Sequence, residues 1–455
     1  MIRRVTHAPN RRVEKLAFGA EDLRPLRIIV DGETVPDGPE LEVLLGFGHH
    51  PHVEVIGTDD RFPIRVEVGD FDAKMGGCPW NLKFEDGRRS MSAVFGDRAA
   101  QLGRRSADPG QEDRAAFAAV LAAGARAHDC DALATTDPML LAFPYPNFIE
   151  GVNPMTPRDT LALLGLFLRV REDFPIYFDD GFQLNFGRSL FYDMLVREYV
   201  PASWRWFAGA AVHARHVSDD SFRLTAQSAL ERLERALRAR DRMHVDLQRR
   251  ASRETATDAL FYFDVGLLML GGAFDSLARV ADRALGLCTP PAQISWGNSW
   301  PRKLKGTTLG STMRKSTPHG DAWRLVALLR NTIHYAIFET VTWQTGGLRD
   351  ERAAVPDDVA AEVEEVVIRL GGLDQFGMRR ELDTLFVEPG VCFEALLPRA
   401  FAAIDAIMAA TPIEDLAGVG TNGVLPVGPP SNNGTAFDTF SQANRDRVRL
   451  LGGVG

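Results

Sequence analysis

Residues with the means to do chemistry are sparse in this chain and gather in three places. The first is Arg330-Asn331-Thr332-Ile333-His334. A guanidinium stays charged, so burying one demands an acidic partner or an anionic ligand. An imidazole can give or take a proton near neutrality, and on a helix a residue four positions on shares the same face. The second place is Arg302, Lys303, Lys305, Arg314 and Lys315, five cations without an acid in fourteen residues, with Gly306 and Gly310 among them. Such a segment suits contact with a phosphate backbone, and Trp296 and Trp300 just before it are candidates for stacking on bases. The plainer reading is a solvated loop that the two tryptophans dock to the core. The third place is a pair of carboxylates, Asp31 and Asp137, each following a short apolar run. Asp137 precedes Pro138, which makes it first of all a helix cap.

The elements that must position these groups divide the chain. Arg27-Ile28-Ile29-Val30 running into Asp31-Gly32 reads as a strand ended by a turn. His52 to Ile56 and Phe62 to Val68 alternate apolar and polar residues, and Gln111 to Ala127 is an alanine-rich helix. Cys130 to Leu141 reads as a buried strand, a polar turn and a helix. Residues 1–150 are therefore expected to form an α/β layer with parallel pairing. Thr156-Pro157-Arg158-Asp159 opens a long helical stretch as cap, first-turn proline and first-turn acid. Helices are predicted at about 188–213, 221–253, 257–286, 320–343, 356–371 and 391–410. Of these, the Arg-rich 221–253 helix is a secondary candidate for RNA contact. The expected organisation is an α/β domain (1–150), a helical connector (151–256), a helical bundle core (257–345), an acidic helical segment (346–416) and a flexible tail (417–455). The fold class is α+β multidomain, with a mostly all-α second part.

On the motif helix, Val326, Leu329, Ile333, Ile337 and Val341 define an apolar stripe that includes Arg330 and His334. The phrase Leu328-Leu329-Arg330-Asn331-Thr332-Ile333-His334-Tyr335 resembles the HEPN superfamily of helical domains over about residues 257–345. That resemblance implies a metal-independent endoribonuclease, or an RNA-binding relative, of a toxin or antiphage defence system. It also implies a homodimer with both Arg–His pairs facing one cleft and no cofactor. His334 would then act at a ribose 2′-hydroxyl, Arg330 would hold the phosphate, and Asn331 would position one of them. The Arg-to-His spacing is shorter than the usual one in that family. The alternative is a non-catalytic interaction or dimerisation module, with Arg330 and His334 buried and satisfied by Asp264 or Asp275. The segment from Asp131 to Leu141 has a weaker resemblance, to PIN-like nuclease domains. It implies that Asp31 and Asp137, with a third carboxylate such as Asp113, hold Mg²⁺ or Mn²⁺ for metal-dependent hydrolysis.

Composition bounds these readings. With 45% hydrophobic and 25% charged residues, the 455-residue chain has the material for a large core. The net charge is −9, from 52 Lys and Arg against 61 Asp and Glu. Residues 350–416 alone hold fifteen acids against five Arg, so the remainder is close to neutral and an RNA partner stays admissible. The acidic segment is itself a candidate surface for a protein partner. The four cysteines lack CxxC spacing, the first fifteen residues lack an apolar signal core, and the most apolar run is interrupted by Asp264. A cytoplasmic protein with no membrane span is expected. His49-His50-Pro51-His52 reads as a surface turn, and no Walker-type, HExxH or GxSxG pattern occurs.

Overall fold

The computed structural model of the chain describes residues 25–69, 81–84, 100–101, 103–105, 109–141, 153–177, 183–185, 187–248, 253–333, 338–345, 348–416, 425, 428–429 and 440–453. It is a mixed α+β molecule in which a parallel sheet and a separate antiparallel sheet accompany a larger helical part. The first sheet contains β1 (Leu26–Val30), β2 (Val53–Gly57), β3 (Ile64–Gly69), β4 (Asn81–Phe84), β5 (Ala132–Ala134) and β6 (Asn153–Met155). Their order is β4-β3-β2-β1-β5-β6, with β4 alone antiparallel to its neighbour. Alternating side chains of β1 serve two cores. Leu26, Ile28 and Val30 join the main core together with α1 (Pro39–Gly46), whereas Ile29 joins Ile56 and Leu133 against α2 (Glu112–Ala127). Alanines at 115, 116, 118, 119, 122 and 125 are all buried, so α2 lies close to the sheet without large side chains between them.

The strand after α2 leads through Thr135 and Thr136 into the short α3 (Pro138–Leu141). Asp137 caps this turn as expected, its Oδ1 accepting from the Met139 amide at 2.8 Å. Beyond residue 150 the layer continues. β6 pairs in parallel with β5, and α4 (Pro157–Val170) packs on β1, β5 and β6. The helical connector expected from 151 thus begins with a strand and helix of the sheet layer. Thr156 caps α4, accepting from the Asp159 amide at 3.2 Å. A two-stranded hairpin, β7 (Pro175–Tyr177) with β8 (Gln183–Asn185), follows.

One helix expected at 188–213 is two, α5 (Arg188–Tyr199) and α6 (Ser203–Val217), because Pro201 removes an amide donor and clashes with the preceding turn. The long α7 (Asp220–Gln248) and α8 (Arg253–Ala284) pack against each other along the main core. Among the described residues α8 is the one helix long and apolar enough to cross a membrane, and over half of that stretch is buried inside the protein. Residues 287–317 form 3₁₀ turns and one short helix, tied to α8 by two indoles. Trp296 Nε1 donates to the Phe274 carbonyl at 2.9 Å and Trp300 Nε1 to Asp282 at 2.7 Å.

The motif helix is shorter than predicted. It is α9 (Pro318–Thr332), and the chain from Glu339 to Thr345 is strand β9 rather than a continuation of the helix. Three Thr, a Val and a Trp in those seven residues favour a pleated strand, and pairing with β10 (Leu348–Val355) supplies the cross-strand contacts that realise it. The acidic segment expected to be helical also contributes β11 (Met378–Glu381) and β12 (Thr384–Val387). These complete an antiparallel sheet of order β11-β12-β10-β9, between α10 (Asp357–Leu370) and α11 (Pro389–Ala410). The expected flexible tail contains α12 (Gln442–Gly452), capped by Ser441 and packed on α4 and α5 with Val448 and Leu451 buried.

Candidate active site

The strand order places the carboxyl ends of β1 and β5 side by side at the point where successive strands run off in opposite directions. In open α/β sheets, crevices for ligands form there. Asp31 ends β1 with no exposed surface, and Asp137 lies two residues past Thr135 with 4% exposed. The structure therefore brings together the two carboxylates singled out in the sequence. What joins them is Arg114, from the first turn of α2. Its Nη2 donates to Asp31 Oδ2 at 2.7 Å, its Nε to Asp137 Oδ2 at 2.8 Å and its Nη1 to Glu33 Oε2 at 2.8 Å. Burial works against the charge of Arg114 but is outweighed by Asp31 and Asp137, so its pKa is raised further.

Hydroxyl groups hold the acids in place. Asp31 Oδ2 also accepts from Thr34 at 2.8 Å and Thr135 at 3.0 Å, and the Asp137 amide donates to Thr135 Oγ1 at 3.0 Å. Asp31 Oδ1, by contrast, is buried and has no hydrogen-bond partner among the described residues. Gly32 is required by close approach: a Cβ there would lie 1.9 Å from Asp59 Oδ2, on the turn after β2. Asp59 is occupied by Arg61, whose hydrogen bond holds its carboxyl below the usual range. Three carboxylates thus face the one guanidinium of Arg114, and the cluster keeps excess negative charge. Asp113, the suggested third ligand, does not join it. It pairs with Arg104 at 3.3 Å and is 90% exposed. No group of three or more His, Cys, Asp or Glu among the described residues is arranged to hold a metal ion as it stands, and at the sheet edge Arg114 lies among Asp31, Glu33 and Asp137.

The helical candidates are more dispersed. Arg330 sits half-buried on α9 with Nη1 3.4 Å from Asp275 Oδ2, so Asp275 rather than Asp264 is its partner. Its side chain lies across Gly271 of α8, where a Cβ would meet Arg330 Cδ at 2.7 Å. Burial pushes the Asp275 carboxyl up, against the opposing pull of Arg330 and its neighbours. Asp264 has no such cation, and burial alone raises it to about 6. Asn331 is exposed, and His334 lies outside the described residues. Arg302, Lys303, Lys305, Arg314 and Lys315 are all exposed, with Lys303 Nζ bonded to Thr289 Oγ1 at 2.8 Å. Trp296 and Trp300 are not free to stack on bases. They are 5% and 1% exposed and pack edge-on at 4.9 Å between ring centroids.

Two participants went unread in the sequence. Arg114 and Glu33 belong to the acidic cluster, yet Arg114 is an unremarked cation in a helical first turn, and nothing local distinguishes it. In the histidine turn His49 and Pro51 are exposed as expected, and His50 is the exception. His50 is 6% exposed and its Nε2 lies 3.1 Å from Asp173, after α4. The chain matches no protein-family model, no curated protein and no solved structure.

Proposed function

We propose that the carboxyl edge of the parallel sheet is a metal-dependent phosphodiesterase site, and that the chain is a PIN-like nuclease acting on RNA in the cytoplasm. The observation that carries this reading is the convergence of Asp31 and Asp137 on one guanidinium, with Asp31 Oδ1 buried and unbonded. A buried carboxylate oxygen left in that state is unfavourable unless a hydrogen-bond donor or a cation meets it. The donor set, all carboxylate oxygen, suits a hard divalent ion such as Mg²⁺ or Mn²⁺.

Asp31 and Asp137 would hold the cation, with Glu33 reaching in from its exposed position. Bound there, it would polarise a phosphoryl oxygen and generate a nucleophile from water. Thr34 and Thr135 fix the Asp31 carboxylate through its other oxygen and leave Oδ1 for the ion. Arg114 offsets part of the charge of these acids. Released from them, the same guanidinium is placed to take the charge of a scissile phosphate. The exposed cations between Arg302 and Lys315 support the reading by offering contacts to a polyanionic backbone.

Incubation of wild type, Asp31→Asn and His334→Ala with total RNA, with and without EDTA, tests this proposal. Cleavage should need the divalent ion, survive His334→Ala and fall by about 100-fold or more in Asp31→Asn. Cleavage that resists EDTA and is lost in His334→Ala would instead place the chemistry at Arg330 and His334, as a HEPN-like dimer requires.

A further inference from the structure

Away from the sheet edge, the helical part holds a cavity of about 410 Å³ between α4, α5, α7 and α8. That volume is within the range that encloses a small molecule. Its floor is a buried ionic network. Asp241 accepts from Arg169 at 2.6 and 2.9 Å, from Arg240 at 2.9 Å and from the Tyr192 hydroxyl at 2.6 Å. The network's one acid on the cavity wall is therefore already neutralised. The rim is different. Arg235, Arg238 and Arg242 recur at helical spacing on α7, around Ala239, whose small side chain leaves the space open. Arg188 completes the ring from α5.

Charge on this rim is unbalanced. Among the described residues Arg188 and Arg235 have Glu172 and Glu231 as ion-pair partners, both partly exposed. Arg238 and Arg242 form no close ion pair among the described residues, and Arg238 feels the attraction of Glu234 at a longer distance. Several guanidinium groups gathered at one cavity repel one another unless an anion lies between them. Their planar forks match the paired oxygens of phosphate and carboxylate groups, and several of them together suit a multiply charged phosphate. Across the cavity α8 presents Tyr262, Val265 and Met269, a wall suited to a flat ring. A second cavity of about 250 Å³ shares Arg242 and Tyr262 and adds Phe261, 60% exposed, with the carboxylates of Asp246 and Asp258.

We propose that these joined cavities bind a free nucleotide. Its phosphates lie among Arg188, Arg235, Arg238 and Arg242, its base against Tyr262, and its ribose hydroxyls donate to Asp258. The order of charges selects this ligand over a nucleic-acid strand. A strand continues with phosphate on both sides of each ribose, and the exposed Asp258 carboxylate would repel the next one. A ribose hydroxyl, in contrast, is a natural donor to a carboxylate. The site shares no residue with the acidic sheet edge, so the proposal stands or falls independently of the nuclease reading.

Calorimetric titration of the full-length protein in EDTA tests it, using ADP, adenosine, inorganic pyrophosphate and a 5′-phosphorylated single-stranded RNA hexamer as probes. ADP should bind saturably at one site per chain. It should bind at least about tenfold more tightly than pyrophosphate, while adenosine gives no measurable heat. Arg238→Ala with Arg242→Ala should weaken ADP by at least about tenfold, and Arg238→Glu by more. Both arginines are exposed, and circular dichroism melting checks that each variant is folded. Absence of saturable ADP binding, or ADP affinity unchanged in these variants, overturns the site. Equal affinity for pyrophosphate overturns the base contact, and tighter binding of the hexamer overturns the free nucleotide.

Discussion

The protein builds two Arg–Asp clusters that share components and differ in balance. In the helical part, Asp241 lies between Arg169 and Arg240 with the Tyr192 hydroxyl, and the guanidinium groups also donate to the carbonyls of Leu451 and Gly452 on α12. There Arg240 also pairs with Glu394 at 3.7 Å, so two acids meet two arginines. Every oxygen of Asp241 is bonded, and the backbone of the last helix takes up further donors, with Arg240 Nη1 left unbonded among the described residues. At the sheet edge, acids exceed the cation and one oxygen of Asp31 is left over. A charge-balanced buried network holds architecture, here α4, α5, α7 and α12. An unbalanced one at a crevice is poised for a ligand. Surplus, not the mere presence of buried charge, separates the two.

The largest effect should come from breaking the charge-balanced cluster. Asp241→Ala takes the carboxylate from Arg169 and leaves Arg240 with the more distant Glu394, and urea unfolding should show a loss of about 3–5 kcal/mol. If stability is unchanged, the network is not what joins these helices. The attraction of the two arginines, overcoming burial, holds the Asp241 carboxyl well below the usual carboxylate range. Its contribution is therefore complete above about pH 4, where the unfolded-state carboxylate ionises, and is lost as acidification proceeds through the lower folded value.

A change of opposite character should follow at the sheet edge. Arg114→Ala removes the cation that the acids share, so the metal-free protein should be less stable while its response to divalent ions grows. A thermal melt with and without 10 mM Mg²⁺, on the order of concentration at which weak sites fill, should show a larger upward shift than in wild type. An equal or smaller shift would mean that Arg114 does not compete with a cation for Asp31 and Asp137.

The smallest effect belongs to an acid with neither partner nor surplus. Asp264 is raised to about 6 by burial, so the folded state holds its proton more tightly than the unfolded chain. Stability therefore declines as pH rises from about 4 through 6. Asp264→Asn should recover about 1 kcal/mol at pH 8, after allowance for its partial exposure, and nothing below pH 4. A gain that does not depend on pH would assign the effect to packing instead of charge.

How far the sequence could be read depends on the range of the interactions concerned. The strand before Asp31, the caps at Asp137 and Thr156, and the alanine-rich helix at 112–127 are set by neighbours within a few positions. Each was legible for that reason. The end of the motif helix at Thr332 was not, because Ile333, Ile337 and Val341 fit helical spacing as well as they fit a core. What decides for a strand at Glu339–Thr345 is pairing with β10. The ordered helix near the C-terminus was hidden similarly. Its polar composition gives little reason to pack until Arg169 and Arg240 arrive to hold its carbonyls.

The sequence by itself determined the strand before Asp31, the alanine-rich helix, the caps at Asp137 and Thr156 and the candidacy of Asp31 and Asp137. Those properties follow from periodicity and local hydrogen bonding, which act over one or two turns. Only the tertiary structure decided that Arg114, 83 residues from Asp31, stands between the two acids. It alone decided that Arg330 meets Asp275 and that the arginines of α7 surround a cavity. Such pairings depend on which helix faces lie against which strands, and no local pattern carries that information.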